Sequence, residues 1–370
     1  MTAATSVPSH VRSPPGSLFP SPRQMRPTST GWHVGSQGLR TRARFRHMTQ
    51  PTNKKKSDFR VEGMIRRHLG PVILAALEDA DVEEVQVNPD RSVHIITSSK
   101  GAYKLVENPT PISVESFLRA VAASSNTHIN SSQPSLATVL PASLGKCRIQ
   151  GFLPPLTEGP AFILRKPPSR IINLDEYVRQ GSLSRQGIEV IRELVAKRKN
   201  IIVAGPTASG KTTLCNAILS EVEDQFPKER ILVLEDTREL HLKHENQLRL
   251  VTTAEHTMRH LVRYSLRSTP RRIVVGEVRD GAARDLLDAW ITGHPGACAT
   301  VHGEDALRAL GRLAALAQEA TPGVDQRRMV AEAVHAVVFI HGHGIQRAVD
   351  AIAAVDGFDG EKYLLRSLLG

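Results

Sequence analysis

The pattern of apolar and polar positions divides the chain into two parts. In the first, a helix-period stretch from Leu69 to Leu77 precedes two alternating stretches around a turn at 88–90, and a second helical stretch runs from Val114 to Ala123. Further strand-like pieces end at 161–164, so this part predicts an α+β unit. After a helical stretch from Ser184 to Arg198, the second part contains continuous apolar runs at 201–204, 231–234, 273–275 and 336–340. Such runs between helical segments predict strands buried on both faces of a mostly parallel sheet.

These patterns predict an α/β protein in which a doubly wound nucleotide domain follows a smaller α+β N-terminal domain. Pro167 and Pro168 mark a linker, because adjacent prolines neither continue a helix nor donate to a sheet ladder. We expect a tail over 1–60, the α+β domain over 61–166, a linker over 167–183 and the nucleotide domain over 184–370.

Charge sets the tail apart. Residues 1–60 hold eleven of the 48 Lys and Arg residues but one of the 37 acidic residues, so most of the net charge of +11 lies there and the rest is nearly neutral. A stretch rich in Ser, Pro and Arg with few aliphatic residues is expected to be disordered, and it lacks the apolar segment of a secretory signal. Three interpretations stay open: a transit-peptide-like leader, a basic arm for anionic lipid or nucleic acid, or untranslated sequence before a start at Met48.

The remaining composition is typical of a globular domain protein. No run of eighteen apolar residues predicts a membrane span. The cysteines Cys147, Cys215 and Cys298 form no C-x-x-C pair, so neither a zinc site nor a disulfide framework is predicted, which fits a reducing cytoplasm. An aromatic content of 4% and a nearly neutral main part argue against direct nucleic-acid binding by the folded core.

A phosphate-binding loop follows the apolar run 201–204 directly and precedes a helix-period segment. Its residues are Gly205, Pro206, Thr207, Ala208, Ser209, Gly210, Lys211, Thr212 and Thr213. Glycines let the backbone wrap a phosphate, so that successive N–H groups and the helix N-terminus face the anion. Lys211 is expected against the β- and γ-phosphates and Thr212 on Mg²⁺, which predicts ATP and Mg²⁺ as ligands.

Acidic residues follow two later strands, where an α/β sheet presents side chains to its ligand edge. They are Glu235 and Asp236, with Glu239 further on, and Glu277. Phosphoryl transfer needs carboxylates there to hold Mg²⁺ or its waters and to orient the attacking water. We expect Glu235, Asp236 and Glu277 to contribute, with Thr212, to the metal site.

Histidines and arginines form two further groups whose roles the residues alone leave open. His294 and His302 lie near the end of another predicted strand, either as surface or core residues or in the site. A stripe at helical spacing, Arg259, Arg263 and Arg267, is either solvated or faces an acidic partner or a phosphate.

The order of these motifs along the chain resembles that of the secretion ATPase superfamily of type II and type IV systems, and most nearly that of the TrbB family of conjugal-transfer ATPases. The segment 234–240 is similar to that superfamily's aspartate box, 276–279 to its atypical Walker B and 292–302 to its histidine box. The likeness extends over roughly residues 64 to 356 and includes Leu69-Gly70-Pro71 and Asn88-Pro89-Asp90.

The resemblance implies a hexameric ring in which an N-terminal domain and a RecA-like P-loop domain enclose ATP. It implies that Glu277 positions or deprotonates the water, that Glu239 and Asp236 support metal and water, and that His302 senses the γ-phosphate with His294 in support. Arg148 and Arg165 match family arginines that reach the nucleotide from the N-terminal domain. It further implies a cytoplasmic motor, peripheral at the inner membrane, with secretion or mating-channel proteins as partners.

Departures from the family pattern are Ala208 and Ala297 in place of glycines, Gly303-Glu304 in place of Ala-Asn, and Arg271 in place of Asp. Ala208 carries a backbone penalty if its φ is positive, and Glu304 brings negative charge near the histidine. The expected function is an ATP-hydrolysing motor of a conjugative or type IV secretion apparatus. Alternatives are a type IV pilus or type II secretion ATPase, a RecA-type DNA motor, and a regulator that binds nucleotide without turnover.

Overall fold

Two β-sheets, formed by successive parts of the chain, organise the residues that the computed structural model describes: 53–105, 109–167, 171–342 and 344–369. The predicted tail up to residue 52 lies outside them. The helices are α1 Asn53–Glu78, α2 Pro111–Ser124, α3 Leu174–Arg179, α4 Arg185–Ala196, α5 Lys211–Gln225, α6 Met258–Leu266, α7 Ala282–Ile291, α8 Ala306–Glu319 and α9 Arg327–Ala333. None of these described helices combines the length and apolar composition needed to cross a bilayer.

The strands alternate with these helices in the second part of the chain, and in the first part three strands follow each of α1 and α2. They are β1 Val82–Val87, β2 Val93–Thr97, β3 Gly101–Lys104, β4 Ser135–Val139, β5 Arg148–Phe152, β6 Ala161–Arg165, β7 Ile201–Gly205, β8 Ile231–Glu235, β9 Gln247–Val251, β10 Arg272–Val275, β11 Cys298–His302, β12 Ala336–His341, β13 Ala348–Phe358 and β14 Tyr363–Ser367.

The first sheet is antiparallel, in the order β3-β2-β1-β6-β5-β4. Helices α1 and α2 pack against each other, and Phe117 of α2 lies 4.7 Å from Phe162 of β6, measured between ring centroids. Helix α2 starts where the Thr110 side chain accepts a hydrogen bond from Ser113 N at 3.1 Å, an N-cap that satisfies one free amide. The mixed order of helices and strands agrees with the predicted α+β pattern.

The second sheet has the order β14-β13-β12-β7-β11-β10-β8-β9, and it is parallel from β12 to β9. All residues of β7 and β8 are buried, as the continuous apolar runs predict for strands covered on both faces. The strands β7, β8, β10 and β11 therefore end at one edge of the sheet. This edge receives the loops that carry the predicted chemistry.

The observed element boundaries differ from the predicted ones at two places. Helix α1 begins at Asn53, inside the stretch assigned to the tail, and it is kinked where Gly70 has φ 76° before Pro71. Helix α3 lies inside the predicted linker, because Leu174 and Tyr177 are buried in the core of the second sheet. Buried apolar residues between 65 and 164 form one cluster and those from 174 onward form another.

Candidate active site

The phosphate loop connects β7 to α5 at the carboxyl edge of the parallel sheet. Gly205 ends β7 so close to β12 that a Cβ there would lie 2.1 Å from the Ile340 carbonyl oxygen, so no side chain fits. Gly210 has φ 93° immediately before α5, a conformation that glycine adopts without steric cost. These two glycines allow the tight loop that leads into the N-terminus of α5, where an anion cradle requires free backbone amides.

Ala208 has φ 60°, in the left-handed region. An L-residue with a Cβ is disfavoured there by roughly 1–2 kcal/mol. The sequence predicts a backbone penalty for Ala208 if its φ is positive, and the observed φ meets that condition.

Lys211 lies buried beneath the loop. Its Nζ donates hydrogen bonds to the carbonyl oxygens of Gly205 at 3.0 Å and Pro206 at 2.7 Å. Burial lowers the pKa of Lys211 to about 8; the charge of Glu277 opposes this shift and those of Arg165 and Arg279 add to it. The amine is thus held at the loop, and a phosphate oxygen would compensate its desolvation.

Glu277 follows β10 and is the centre of a charged cluster. Arg279 Nη2 donates to Glu277 Oε2, and His302 Nε2 lies 3.0 Å from Glu277 Oε1. Burial raises the pKa of Glu277, but the hydrogen bond and charge of Arg279, with His302 and Lys211, outweigh burial and lower it below the ordinary value. The pKa of His302 is lowered by burial first and by Lys211 next. At neutral pH the site therefore holds an ionised carboxylate beside a neutral imidazole.

Glu239 links the phosphate-loop helix to the antiparallel sheet. Thr212 Oγ1 donates to Glu239 Oε2 at 3.3 Å, and Arg148 Nη1 donates to Glu239 Oε1. Arg148 Nη2 also donates to Thr237 Oγ1 at 2.9 Å. Arg148 on β5 is paired in register with Arg165 on β6, and the positive charge of Arg165 helps to lower the pKa of Lys211. Both predicted arginines are thus presented from the first sheet towards the phosphate loop.

Asp236 lies at the same edge but is less tightly held. Its Oδ1 accepts a hydrogen bond from Thr252 Oγ1 at 3.1 Å, and Arg279 Nη1 lies 3.8 Å from its Oδ2. Arg279 therefore spans two predicted acidic residues, Asp236 and Glu277.

Glu235 has a structural role in a turn, which differs from the metal-binding role predicted for it. Its Oε1 accepts hydrogen bonds from the amides of Glu239 at 2.7 Å and Leu240 at 2.6 Å, and its Oε2 accepts from Arg249 Nη2 at 2.8 Å. Glu235 is 1% exposed, and its carboxylate is fully hydrogen-bonded by the turn that follows β8 and by Arg249 of β9. Glu235 thereby fixes Glu239, and this geometry gives no support to direct metal ligation by Glu235.

His294 is not brought to the phosphate loop with His302. It precedes β11, and its Nδ1 lies 3.1 Å from the carbonyl oxygen of Pro270, which precedes β10. His302 ends β11, and the five residues of that strand separate the two edges of the sheet by about 13 Å. The expectation that His294 supports the same phosphate site is therefore not met within this chain.

The oxygen donors at this edge fit a Mg²⁺ ion that is shared with phosphate. Thr212 supplies a hydroxyl 3.3 Å from a carboxylate oxygen of Glu239, and Asp236 supplies a further carboxylate at the same edge of the sheet. Among the described residues, no group of three or more His, Cys, Asp or Glu side chains is placed to hold a metal ion. Mg²⁺ commonly binds one or two protein oxygens and completes its shell with substrate phosphates and waters, which matches this sparse donor set.

Comparison with known proteins places this arrangement in a family. The type II/IV secretion system protein family matches residues 136–353. Conjugal transfer protein TrbB of Rhizobium radiobacter is 37% identical over 308 residues, which cover 83% of this chain and 94% of that protein. The chain belongs to the type II/IV secretion system protein family. VirB11 of Agrobacterium fabrum is 30% identical and covers 77% of this chain, with 91% of its own length matched.

Secretion-family membership confirms the predicted class, an ATPase of a conjugative or type IV secretion apparatus. The X-ray structure of the ATPase DotB of Legionella pneumophila shares the fold, with a TM-score of 0.53, 17% identity, and coverage of 79% of this chain and 77% of DotB. At that identity the likeness concerns the fold alone.

The other departures from the secretion-family pattern lie where the structure accommodates them. Glu304 is exposed and forms an ion pair with Arg308 one helical turn later, so its charge is partly neutralised. Ala297 is buried, and its carbonyl accepts a hydrogen bond from Ile201 N at 2.9 Å. Arg271 is exposed before β10.

The arginine stripe of α6 has an acidic partner, one of the alternatives that the sequence leaves open. Arg259 Nε lies 2.7 Å from Asp285 Oδ2 of α7, and Arg263 Nε lies 3.5 Å from Asp285 Oδ1. Arg259 and Arg263, two of the three arginines of the stripe, therefore help to join α6 to α7.

Sequence reasoning missed Arg279 and Thr237 as members of the site. Arg279 lies two residues after Glu277, and this i, i+2 spacing at a strand end was the available signal. Thr237 lies within the segment 234–240, but only its contact with Arg148 from a distant strand reveals its role.

Proposed function

We propose that this secretion-family ATPase binds Mg·ATP between the phosphate loop and the two arginines of the antiparallel sheet. The observation that carries the proposal is the contact of Arg148 with Glu239 and Thr237, because it joins the first sheet to the acidic edge of the second beside Thr212. Both walls of a nucleotide site are thereby supplied by one chain.

We assign the binding step to the loop and Lys211. The loop amides and the N-terminus of α5 receive the phosphates, and the protonated amine of Lys211 exchanges the Gly205 and Pro206 carbonyls for phosphate oxygens. Mg²⁺, held by Thr212 with Asp236 and Glu239 close by, would neutralise charge on the phosphates.

We assign the attacking water to Glu277. Its low pKa keeps it ionised, so it accepts a hydrogen bond from the water and orients it more effectively than it abstracts a proton in advance. His302, neutral and in contact with Glu277, offers a second polar group at the γ-phosphate position. Arg148 and Arg165 stabilise charge that develops on the transferred group, a contribution of roughly 10³–10⁵ in rate for arginines in such sites.

The division into a smaller α+β domain over 61–166 and a RecA-like P-loop domain over 184–370 is part of this proposal, supported by the two separate hydrophobic clusters. We further propose a hexameric ring at the cytoplasmic face of the inner membrane, working with channel proteins of a conjugative apparatus. The relatives named for conjugal transfer and for VirB11, similar over most of the chain, support this assignment.

The test uses the purified full chain with Mg·ATP. Lys211→Ala is expected to abolish turnover while the thermal unfolding midpoint stays near that of the wild type, because the loop loses its cation but no core packing. Glu277→Gln is expected to bind ATP without hydrolysis and to accumulate as a ring of six times the monomer mass in light scattering.

Full turnover by Lys211→Ala would contradict the nucleotide site. Unchanged hydrolysis by Glu277→Gln would move the water-orienting role to Glu239. A trapped species at monomer mass would contradict the ring.

A further inference from the structure

Arg347, directly before β13, reaches the phosphate loop from the side. Its Nη2 lies 3.3 Å from the carbonyl oxygen of Ala208. Its side chain also covers Gly210: a Cβ at that position would lie 3.3 Å from Arg347 Cδ. Arg347 therefore contacts the two loop positions whose backbone has positive φ.

Glu83 of the antiparallel sheet anchors the same guanidinium. Arg347 Nη2 lies 2.9 Å from Glu83 Oε1 and 3.2 Å from Glu83 Oε2, and the Arg347 side chain is 23% exposed. The register of β1 against β2 shifts between Val82 and Glu84, so Glu83 is the extra residue of a β-bulge. A bulge redirects the side chain of a strand, which explains how a residue of β1 reaches across to the second sheet.

A hydrogen bond to the Ala208 carbonyl stabilises a strained part of the phosphate loop. At φ 60° this peptide pays a backbone penalty that a glycine would not, and a charge-assisted hydrogen bond to its carbonyl offsets part of that penalty. Loss of the donor frees the peptide to turn away from the conformation that the anion cradle needs.

We propose that Arg347 is a positioning residue for the phosphate loop, fixed by Glu83, through which the antiparallel sheet sets the affinity of the loop for the triphosphate. The proposal rests on the proposed function as an ATPase, since it assigns the loop to ATP. Arg347 acts through the Ala208 peptide and not on the reacting atoms.

The experiment measures KM and kcat for Mg·ATP with the full chain. Arg347→Ala is expected to raise KM about 10-fold or more and to change kcat less than 3-fold, as removal of a hydrogen bond from a charged donor predicts. Glu83→Gln is expected to raise KM less than Arg347→Ala does. The double variant is expected to match Arg347→Ala, because both changes disrupt the same chain of contacts from Glu83 through Arg347 to the Ala208 carbonyl. Arg366→Ala, which breaks an exposed ion pair with Asp356 on the same hairpin, is the matched control and should leave both constants unchanged.

Two further variants separate positioning from a general structural role. Exchange of the charges, Arg347→Glu with Glu83→Arg, restores an ion pair but leaves no donor for the Ala208 carbonyl, so KM is expected to stay high. Ala208→Gly in the Arg347→Ala background is expected to recover part of the lost affinity, because glycine holds the conformation without help.

Unchanged KM in Arg347→Ala, additive effects with Glu83→Gln, or full recovery by the charge exchange would each overturn the proposal. Failure of the proposed function has a different signature. In that case the wild type would not turn over ATP, or Lys211→Ala would match it, whatever residue stands at 347.

Discussion

Replacement of Ala208 by glycine is expected to raise the free energy of unfolding, whereas an alanine-to-glycine change usually lowers it. With φ 60°, Ala208→Gly removes a left-handed penalty of roughly 1–2 kcal/mol. Glycine also widens the unfolded ensemble, which lowers stability by about 0.4–1 kcal/mol. At the middle of both ranges the net expectation is a gain of about 0.8 kcal/mol in the free energy of unfolding.

Urea unfolding of the full chain, followed by tryptophan fluorescence, measures this change against a matched control. Ala254 is exposed in a bend and is not among the described residues with positive φ, so Ala254→Gly meets only the unfolded-state effect and should lose about 0.4–1 kcal/mol. The two alanine-to-glycine changes should therefore move the midpoint in opposite directions. Equal losses at both positions would show that residue 208 does not hold a left-handed conformation in solution, and the strain argument would be wrong.

Three more predictions concern the site. Arg148→Ala should lower kcat at least about 100-fold with a much smaller change in KM, because its charge counts most in the transition state; Arg119→Ala, an exposed ion-pair residue, is the control and should have no effect. His302→Gln should lower kcat about 10-fold or more, whereas His294→Gln, at the other end of the strand, should leave kcat of the isolated chain within about 3-fold; the reverse order would contradict the placement of the two histidines. Finally, ATP affinity should fall as pH rises through about 8, because Lys211 loses its proton there in the free protein. Isothermal titration at pH 8.5 in two buffers of different ionisation enthalpy should show proton uptake on binding, and no uptake would contradict the lowered pKa.

Apolar periodicity predicted those elements whose environment is uniform along their length. The runs at 201–204 and 231–234 became β7 and β8, buried on both faces. Strand β9 was missed because all its residues are partly buried at the sheet edge and give no continuous apolar run. Strands β13 and β14 were missed for a related reason, since their mixed burial follows from antiparallel pairing at the other edge.

Site residues were predictable from the sequence where they directly follow a strand. They were not predictable where tertiary contacts determine which side-chain atoms are free to act. Lys211 and Glu277 come together because parallel strands end at one edge. Glu235 also ends a strand, yet the amides of residues 239–240 bind one of its oxygens and Arg249 of β9 binds the other, which only the three-dimensional path of the chain after β8 reveals. Arg347 was invisible in the sequence, because its contact with Glu83 joins positions 264 residues apart.

The burial of all three cysteines makes the chain suitable for site-directed labelling. Cys147, Cys215 and Cys298 are free and buried, and the Sγ atoms of the last two lie 3.0 Å apart in the interior. Burial raises the pKa of Cys147, and the contact with Cys298 together with burial raises that of Cys215, so neither offers a thiolate to a maleimide at neutral pH. A cysteine introduced on an exposed position of each sheet could therefore carry a donor and an acceptor dye in an otherwise native chain. Energy transfer between them would follow the two sheets through each cycle of nucleotide binding and release.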